Sequence, residues 1–354
     1  MRHSAVCLAL CSILFACEDS KPPPKKPALQ AETTAVNPTE IDPVKLQLFG
    51  ALPDKMPRGK AEITEERVKL GRILYDETRL SRGGELSCNS CHDLATYGVD
   101  HKKTSEGHKK QLGSRNSPTV YNAAGHISQF WDGRAADVEE QAKGPILNPI
   151  EMAMPDEKTV VAELKKVKEY DELFKKAFPG EPSPITYNNV ANAIGAFERL
   201  LVTPSRWDKF LKGDKNALTA EEKIGFNKFN DTGCVACHSG VFVGGAMYQK
   251  MGLVKPYESK DLGRFEVTKQ ESDKMMFKVP SLRNVEKTGP YFHDGAVATI
   301  EDATKLMAKH QLGRELSDAD TAAIVAWMKT LTGEIPEKLI ARPELPGVKK
   351  PMQK

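Results

Sequence analysis

The sequence lacks several features that would place it in other protein classes. None of its 354 residues lies in a stretch long and apolar enough to span a bilayer. The net charge is only +3, so nothing indicates a nucleic-acid partner. Few runs show the apolar–polar alternation of strands. The mean hydropathy of -0.46 predicts a globular protein. The length predicts about two domains, and the rarity of strand alternation predicts a mostly α-helical fold.

Spare cysteines are also absent. Three of the seven cysteines, Cys7, Cys11 and Cys17, lie close to the N-terminus, and the other four form two Cys-x-x-Cys pairs. No thiol is therefore left for a disulfide, even though the compartment predicted from the N-terminus is oxidising.

The N-terminus has the pattern of a targeting segment. A positive end at Arg2 precedes an apolar run over residues 6–16, too short for a stable membrane anchor. The run ends in Leu14-Phe15-Ala16-Cys17, which looks like a bacterial lipobox. We expect a lipoprotein signal peptide at residues 1–16, lipid on Cys17 and a periplasmic location; the alternative is an ordinary signal peptide cut nearby. Residues 17–43, rich in lysine and proline, are predicted to be a flexible tether.

The two remaining cysteine pairs are each followed at once by a histidine. The motifs are Cys88-Asn89-Ser90-Cys91-His92 and Cys234-Val235-Ala236-Cys237-His238. This spacing is the attachment pattern of c-type haem, in which both thiols form thioethers and the histidine binds the iron. A single copy is also compatible with a redox pair or half of a zinc site. Two copies, with no further cysteine pair to complete a four-thiolate site, favour two covalent haem c groups.

Helical periodicity surrounds both motifs. Residues 64–75 are expected to form a helix that leads towards the first motif. Thr219 is expected to begin, with a capping box, the helix that leads towards the second motif, and Ser317 to cap a helix through Leu331. Residues 160–178 and 188–201 are predicted to be one amphipathic helix each. Pro204 marks the expected domain boundary.

An internal repeat relates the two halves. Pro118-Thr119-Val120-Tyr121-Asn122 returns as Pro280-Ser281-Leu282-Arg283-Asn284, and Phe130-Trp131-Asp132-Gly133 returns as Phe292-His293-Asp294-Gly295 with no gap. We therefore predict two cytochrome c-like haem domains related by duplication. They cover residues 44–203 and 204–336, and residues 337–354 form a tail.

The halves diverge where an iron ligand or a catalytic group is expected. Met307 follows Gly295 by twelve residues, whereas the same step from Gly133 reaches Pro145, which cannot bind iron. Glu151 lies six residues beyond Pro145. We infer one closed His/Met haem of raised potential and one haem with a carboxylate available for acid–base chemistry. Spacing alone does not choose Met307 over Met247, Met251, Met275 or Met276.

The motifs resemble those of the bacterial di-haem cytochrome c peroxidases over about residues 46–333. The resemblance rests on the following stretches: Leu86 to His92, Gln129 to Asp137, Gln141 to Pro145, Gly263-Arg264-Phe265 and Pro290 to His293.

The resemblance implies roles for single residues. The haem on His92 is the peroxidatic one, and His108 closes it in the resting enzyme and leaves on activation. Glu151 is the catalytic acid and base, with Gln141 beside it. The haem on His238 and Met307 receives electrons, and Trp131 lies between the haems.

The resemblance also implies a calcium ion between the domains, held in part by backbone carbonyls at Asn116, Thr288 and Pro290, and a homodimer. Family members often carry an aromatic residue five positions after His293, where this chain has Ala298. That difference removes any packing or electron-path role for a side chain there.

The resulting hypothesis is reduction of hydrogen peroxide to water with electrons from a small reduced cytochrome c or cupredoxin. One alternative is a di-haem electron-transfer cytochrome without catalysis, against which Glu151 and Gln141 argue. The other is a di-haem enzyme that oxidises a partner protein. Such enzymes carry tyrosine at the second haem's distal position, so Met307 argues against that reading.

Overall fold

The computed structural model describes residues 39–56 and 62–348. The predicted signal peptide, the predicted lipid site Cys17 and most of the predicted tether lie outside these residues. Within them, no helix is long and apolar enough to cross a membrane. The α-helices are Pro43–Leu46 (α1), Glu65–Tyr75 (α2), Val138–Leu147 (α3), Glu157–Lys165 (α4), Lys168–Ala177 (α5), Tyr187–Glu198 (α6), Arg206–Leu211 (α7), Ala220–Thr232 (α8), Phe265–Thr268 (α9), Ile300–Leu312 (α10), Asp318–Lys329 (α11) and Glu337–Ile340 (α12).

The mostly helical prediction is confirmed in the described part of the chain. Tyr248–Lys250 (β1) and Met276–Lys278 (β2) form an antiparallel pair in which Tyr248 lies opposite Lys278. The expected caps are present at two helices: Thr219 forms a capping box with Glu222, and Ser317 accepts from Asp320 N. The helix expected over residues 64–75 begins at Glu65, and the structure adds a cap in which Thr64 accepts from Arg67 N.

The segment predicted as one helix over residues 160–178 is instead two helices. That prediction was wrong because Val167 takes an extended conformation (φ −109°, ψ 107°) between α4 and α5. The bend allows Leu164 on α4 and Tyr170 on α5 to be fully buried in the same hydrophobic core. A straight helix would place these residues, six positions apart, on different faces.

Each half contains the same close helix crossing. Helix α2 packs on α6, where a Cβ on Gly71 would come within 1.9 Å of the carbonyl oxygen of Ala193. Helix α8 packs on α11, where a Cβ on Gly225 would come within 1.9 Å of the carbonyl oxygen of Ala323. Only glycine allows the backbones to approach this closely. The two halves are therefore built on equivalent helix pairs.

The duplicated sequence segments also have duplicated conformations. Asn284 follows Asn122 by 162 residues, and both have left-handed backbones with φ of 61°. The same interval separates the starts of α3 at Val138 and α10 at Ile300.

The two repeated asparagines meet at one hydroxyl. Asn122 Nδ2 and Asn284 Nδ2 donate to Thr203 Oγ1 at 2.8 and 2.9 Å, and all three residues are buried. Thr203 therefore lies where the equivalent turns of the two halves come together, and it satisfies a polar group from each.

The ends of the described chain each pack on the distant half. Leu46 and Phe49 contact the second core, which contains Trp207 and Trp327. Residues near the C-terminal end contact the first core; these are Ile335, Leu339, Ile340 and Leu345.

Candidate functional site

The first cysteine motif forms a single helical turn. The 3₁₀ segment Cys88–Ser90 is followed by backbone hydrogen bonds from Cys91 N and His92 N to Cys88 O. Ser90 Oγ accepts from Ser87 N at 3.0 Å, and this contact fixes the start of the turn. The turn thus brings both thiols and the imidazole together, as the sequence predicted.

The second motif repeats this geometry. The 3₁₀ segment Cys234–Ala236 begins after Gly233, whose φ of 104° ends helix α8. Cys237 N and His238 N again donate to the carbonyl oxygen of the first cysteine. Gly233 therefore allows the chain to turn directly from the helix into the motif.

The residues of both motifs fit covalent haem. All four thiols are free. Burial lowers the pKa of His92, and it lowers the pKa of His238 to about 4, so both rings are neutral as an iron ligand must be. His92 Nδ1 is shielded from solvent without a hydrogen-bond partner, and His238 Nδ1 lies 3.4 Å from Val243 O. Two haem groups would therefore find thiols and a neutral nitrogen ligand in each half.

Tyr75 supports the first motif and was not identified from the sequence. Its hydroxyl donates to the carbonyl oxygen of His92 at 2.8 Å, and its ring is fully buried at the end of α2. The contact restrains the backbone of the predicted iron ligand. The only sequence signal was a tyrosine at the end of the helix that precedes the motif.

Glu151 lies in the turn that follows α3. Asn148 Nδ2 donates to Glu151 Oε1 at 3.0 Å, and Glu151 N donates to Asn148 O. Burial raises the pKa of the carboxyl group, while Arg134 and the Asn148 hydrogen bond oppose that rise. A half-buried carboxyl group with a raised pKa is suited to hold and release a proton. Asn148, which orients it, was also missed from the sequence.

His108 lies beside Glu151 through backbone contacts. Its N–H donates to the carbonyl oxygens of Ile150 at 2.9 Å and Glu151 at 2.7 Å. A Cβ on the preceding Gly107 would come within 2.0 Å of Ile150 O, so the loop lies flat on this turn. His108 Nδ1 is 3.8 Å from Glu85 Oε1. The structure therefore brings two predicted site residues, 43 positions apart in the sequence, into one region.

Gln141 and Met307 lie on the equivalent helices α3 and α10. Met307 follows the start of α10 by the same seven residues that separate Pro145 from the start of α3. Pro145 and Met307, which the sequence analysis compared, therefore occupy equivalent positions in the fold. The roles of Gln141 beside Glu151 and of Met307 as an iron ligand stay predictions.

Trp131 lies at the contact between the halves. Its indole nitrogen donates to Asn116 O at 2.9 Å, and its ring centroid is 6.5 Å from that of His293, its counterpart in the repeat. Arg115 reinforces the contact by bonding both Asp132 of the first half and Asp261 of the second. Arg115 was missed because neither partner is near it in the sequence.

The predicted calcium residues occupy the same region. Asn116 N donates to His293 O, and Asn116 Nδ2 donates to Lys102 O. Thr288 precedes the cis Gly289–Pro290 bond, and Gly289 O lies 3.0 Å from His101 Nδ1. Among the described residues, no group of three or more histidine, cysteine, aspartate or glutamate side chains could hold a metal ion. Any calcium here would depend on carbonyl and amide oxygens, which that ion accepts.

Comparison with known families agrees with this geometry. Residues 65–216 match the di-haem cytochrome c peroxidase family, and residues 223–332 match the cytochrome c family. A crystal structure of a MauG-like protein associated with microbial copper homeostasis has a TM-score of 0.73 at 27% identity. The aligned region covers 82% of this chain and 97% of the MauG-like protein. The fold is therefore a di-haem fold with two cytochrome c-type domains.

Two curated proteins are similar along most of their length. The cytochrome c551 peroxidase of Nitrosomonas europaea is 50% identical over 277 residues, which are 77% of this chain and 81% of that protein. The cytochrome c551 peroxidase of Pseudomonas aeruginosa is 45% identical over 307 residues, which are 85% of this chain and 88% of that protein. The chain therefore belongs to the di-haem cytochrome c peroxidase family and is a cytochrome-c peroxidase.

Proposed function

We propose that the protein reduces hydrogen peroxide to water with electrons from a small reduced cytochrome c or cupredoxin. Peroxide would be cleaved in the half that contains His92, and electrons would enter the half that contains His238 and Met307. The two haems would supply the iron centres for peroxide reduction and for electron transfer.

The observation that carries this proposal is the difference between two equivalent helices. Helix α10 has Met307, whose side chain carries a thioether, at the position where α3 has Pro145. A thioether favours a stable, high-potential redox centre, whereas its absence leaves room for a small oxidant. The halves thus suit different tasks.

The Glu151 carboxyl group is the proposed proton carrier. Burial raises its pKa and so favours proton uptake, and Asn148 donates to Oε1, so the proton is expected to reside on Oε2. The carboxyl group would take a proton from peroxide and return it to the departing oxygen. Gln141 would contribute a polar group to the same pocket.

The loop that carries His108 is the proposed gate. Lys109 and Lys110, directly after His108, both have left-handed backbones, with φ of 56° and 59°. Such conformations are costly for lysine, so the docked loop stores strain that undocking releases. His108 would occupy the iron of the first half in the resting enzyme and leave on reduction.

Substitution of Glu151 with glutamine tests the proposal. The variant should retain both haems, judged by absorbance per chain, and lose peroxide turnover with a reduced donor cytochrome. Glu140→Gln is the matched control because Glu140 is exposed on α3. Unchanged turnover in Glu151→Gln would remove Glu151 from the mechanism. If wild-type protein shows no donor-dependent turnover, the electron-transfer alternative is favoured.

A calcium ion is proposed between the halves. The buried Asn116, with the carbonyls at Thr288 and Pro290, offers neutral oxygen donors next to Trp131 and His293. Calcium removal with a chelator should lower the stability of the holoprotein, and equal stability with and without calcium would contradict the assignment.

The location and assembly of the protein are proposed from the sequence and the resemblance. Lipid on Cys17 would hold the enzyme at a bacterial membrane, facing the periplasm. Mass spectrometry of the mature N-terminus would show a diacylated Cys17, or an unmodified terminus if the segment is an ordinary signal peptide. A homodimer is proposed as well, and light scattering of the holoprotein tests it.

A further inference from the structure

The interface between the halves contains a reciprocal pair of backbone hydrogen bonds. Asn116 N in the first half donates to His293 O in the second, and Lys278 N in the second donates to Trp131 O in the first, both at 2.8 Å. Lys278 follows Asn116, and His293 follows Trp131, by the same 162 residues. Each bond is therefore the repeat counterpart of the other.

The side chains at these two equivalent positions differ. Asn116 is one of the predicted calcium positions and has a neutral side chain, whereas Lys278 carries its own positive charge. Lys278 Nζ donates to Ser128 O at 2.8 Å, and Ser128 is the repeat counterpart of Pro290. The ammonium of Lys278 thus contacts the Ser128 carbonyl, and the equivalent carbonyl in the repeat, at Pro290, is a predicted calcium ligand.

Lys278 is deeply buried for a charged residue, with only 8% of its surface exposed. Two titratable groups interact electrostatically with Lys278. Asp132 stabilises the ammonium, and the ammonium opposes protonation of the shielded His126. Asp132 is already bonded to Arg115 and Arg134. Burial of a charge that lacks a dedicated partner is costly, so the other contacts of Lys278 indicate what it does.

Those contacts are made to the loop that carries Trp131. The backbone N–H and the ammonium of Lys278 hold the carbonyl oxygens of Trp131 and Ser128. Tyr248, which lies opposite Lys278 in the β1–β2 pair, adds a 2.7 Å hydrogen bond between its hydroxyl and Ser128 Oγ. The β1–β2 pair of the second half therefore holds this loop of the first half at three points.

We propose that Lys278 is a positioning residue of the di-haem centre. Its ammonium acts as an internal cation that holds the Trp131 loop across the interface and raises the reduction potential of the di-haem centre. A positive charge in a weakly polarisable interior stabilises the added electron. The inference rests on the presence of two haems and does not depend on peroxide cleavage.

The test uses the full-length holoprotein with Lys278→Met, which retains the apolar stem and removes the charge. Two quantities are measured: the midpoint potentials of both haems, and amide hydrogen exchange across residues 126–133. Lys278→Met should lower at least one midpoint potential and accelerate exchange in this loop roughly tenfold, because a hydrogen bond from a charged group is lost. Lys250→Met is the matched control, since Lys250 is exposed on β1; it should leave both quantities unchanged.

Unchanged midpoint potentials in a folded Lys278→Met protein would overturn the proposal, whether or not exchange increases, because no electrostatic role would remain. Unchanged exchange would overturn the anchoring role and with it the proposal. If Lys278→Met does not fold, Lys278→Arg and Lys278→Gln are compared. The potentials should be retained with arginine and lowered with glutamine, and equal potentials in the two variants would reject the assignment. Peroxide turnover is not a readout, so failure of the proposed function would be recognised separately.

Discussion

The backbone N–H of His108 donates to the carbonyl oxygen of Glu151 at 2.7 Å, which joins the loop proposed as the gate to the turn proposed to carry the proton. The contact exists because Gly107 allows the loop to approach Ile150 without a side chain between them. Displacement of the loop therefore also breaks a contact to the turn that holds Glu151.

Gly107→Ala should undock this loop. A Cβ there would lie 2.0 Å from Ile150 O and 2.8 Å from Glu151 Cα, so the backbone must move. We expect faster hydrogen exchange over residues 104–113 and, under the proposed function, a high-spin haem signal without prior reduction. Gly113→Ala is the control, because its Cβ would meet nothing closer than 3.8 Å. Equal exchange in the two variants would show that loop docking does not depend on Gly107.

Tyr75→Phe should weaken the support of the first haem ligand. Loss of the hydrogen bond to His92 O is expected to cost about 1 kcal/mol in unfolding free energy and to shift the midpoint potential of the His92 haem. Tyr121→Phe removes a similar bond, to Leu94 O, and should reduce stability alone. Denaturant unfolding and redox titration of both holoproteins separate the effects. A potential shift of equal size in Tyr121→Phe would argue against a specific role for Tyr75.

Thr203→Val should destabilise both halves together. The substitution leaves the buried amides of Asn122 and Asn284 without their shared acceptor, at a cost of about 2–6 kcal/mol for two unsatisfied donors. Thr330→Val is the matched control, since Thr330 is equally buried and its hydroxyl bonds only to Trp327 O. Equilibrium denaturation measures the difference, and equal losses would show that the shared contact contributes no more than a single bond.

Glu198→Gln should change how stability depends on pH. Burial, with Glu139 nearby, raises the pKa of Glu198 to about 8 from an ordinary value of 4.5. Between these pH values the folded state retains a proton that the unfolded state has lost, so this group lowers stability as pH rises. In Glu198→Gln, the fall in the free energy of unfolding with rising pH should be smaller by up to a few kcal/mol. Urea unfolding at several pH values from 5 to 8 tests this, with the exposed Glu172→Gln as control. A decline as steep as that of the wild type would contradict the assignment.

Met307→Ala should lower the midpoint potential of the His238 haem, because loss of a thioether ligand removes stabilisation of the reduced iron. Met247→Ala is the control, as Met247 is another half-buried methionine of the same half. Spectroelectrochemistry of the two variants gives the answer. An unchanged potential in Met307→Ala, or a fall in Met247→Ala instead, would assign the ligand elsewhere.

The local elements were predictable because their signals are local. The helix after Thr64, the capping box at Thr219 and the Cys-x-x-Cys-His turns depend on residues within a few positions, and the structure confirms them. The break at Val167 was not predictable, because apolar periodicity continues through it. Only the need to bury Leu164 and Tyr170 in one core reveals the bend.

Spacing along the chain is enough to reveal the two cysteine motifs, the duplication and the exchange of proline for methionine between equivalent helices. Four contacts become visible only in the folded protein: Asn148 orients Glu151, Tyr75 supports His92, Thr203 joins two asparagines and Lys278 holds the Trp131 loop. These contacts arise where helices cross and where the halves meet. The choice of partner there depends on which distant side chains packing brings within hydrogen-bond distance, and residue order does not record that choice.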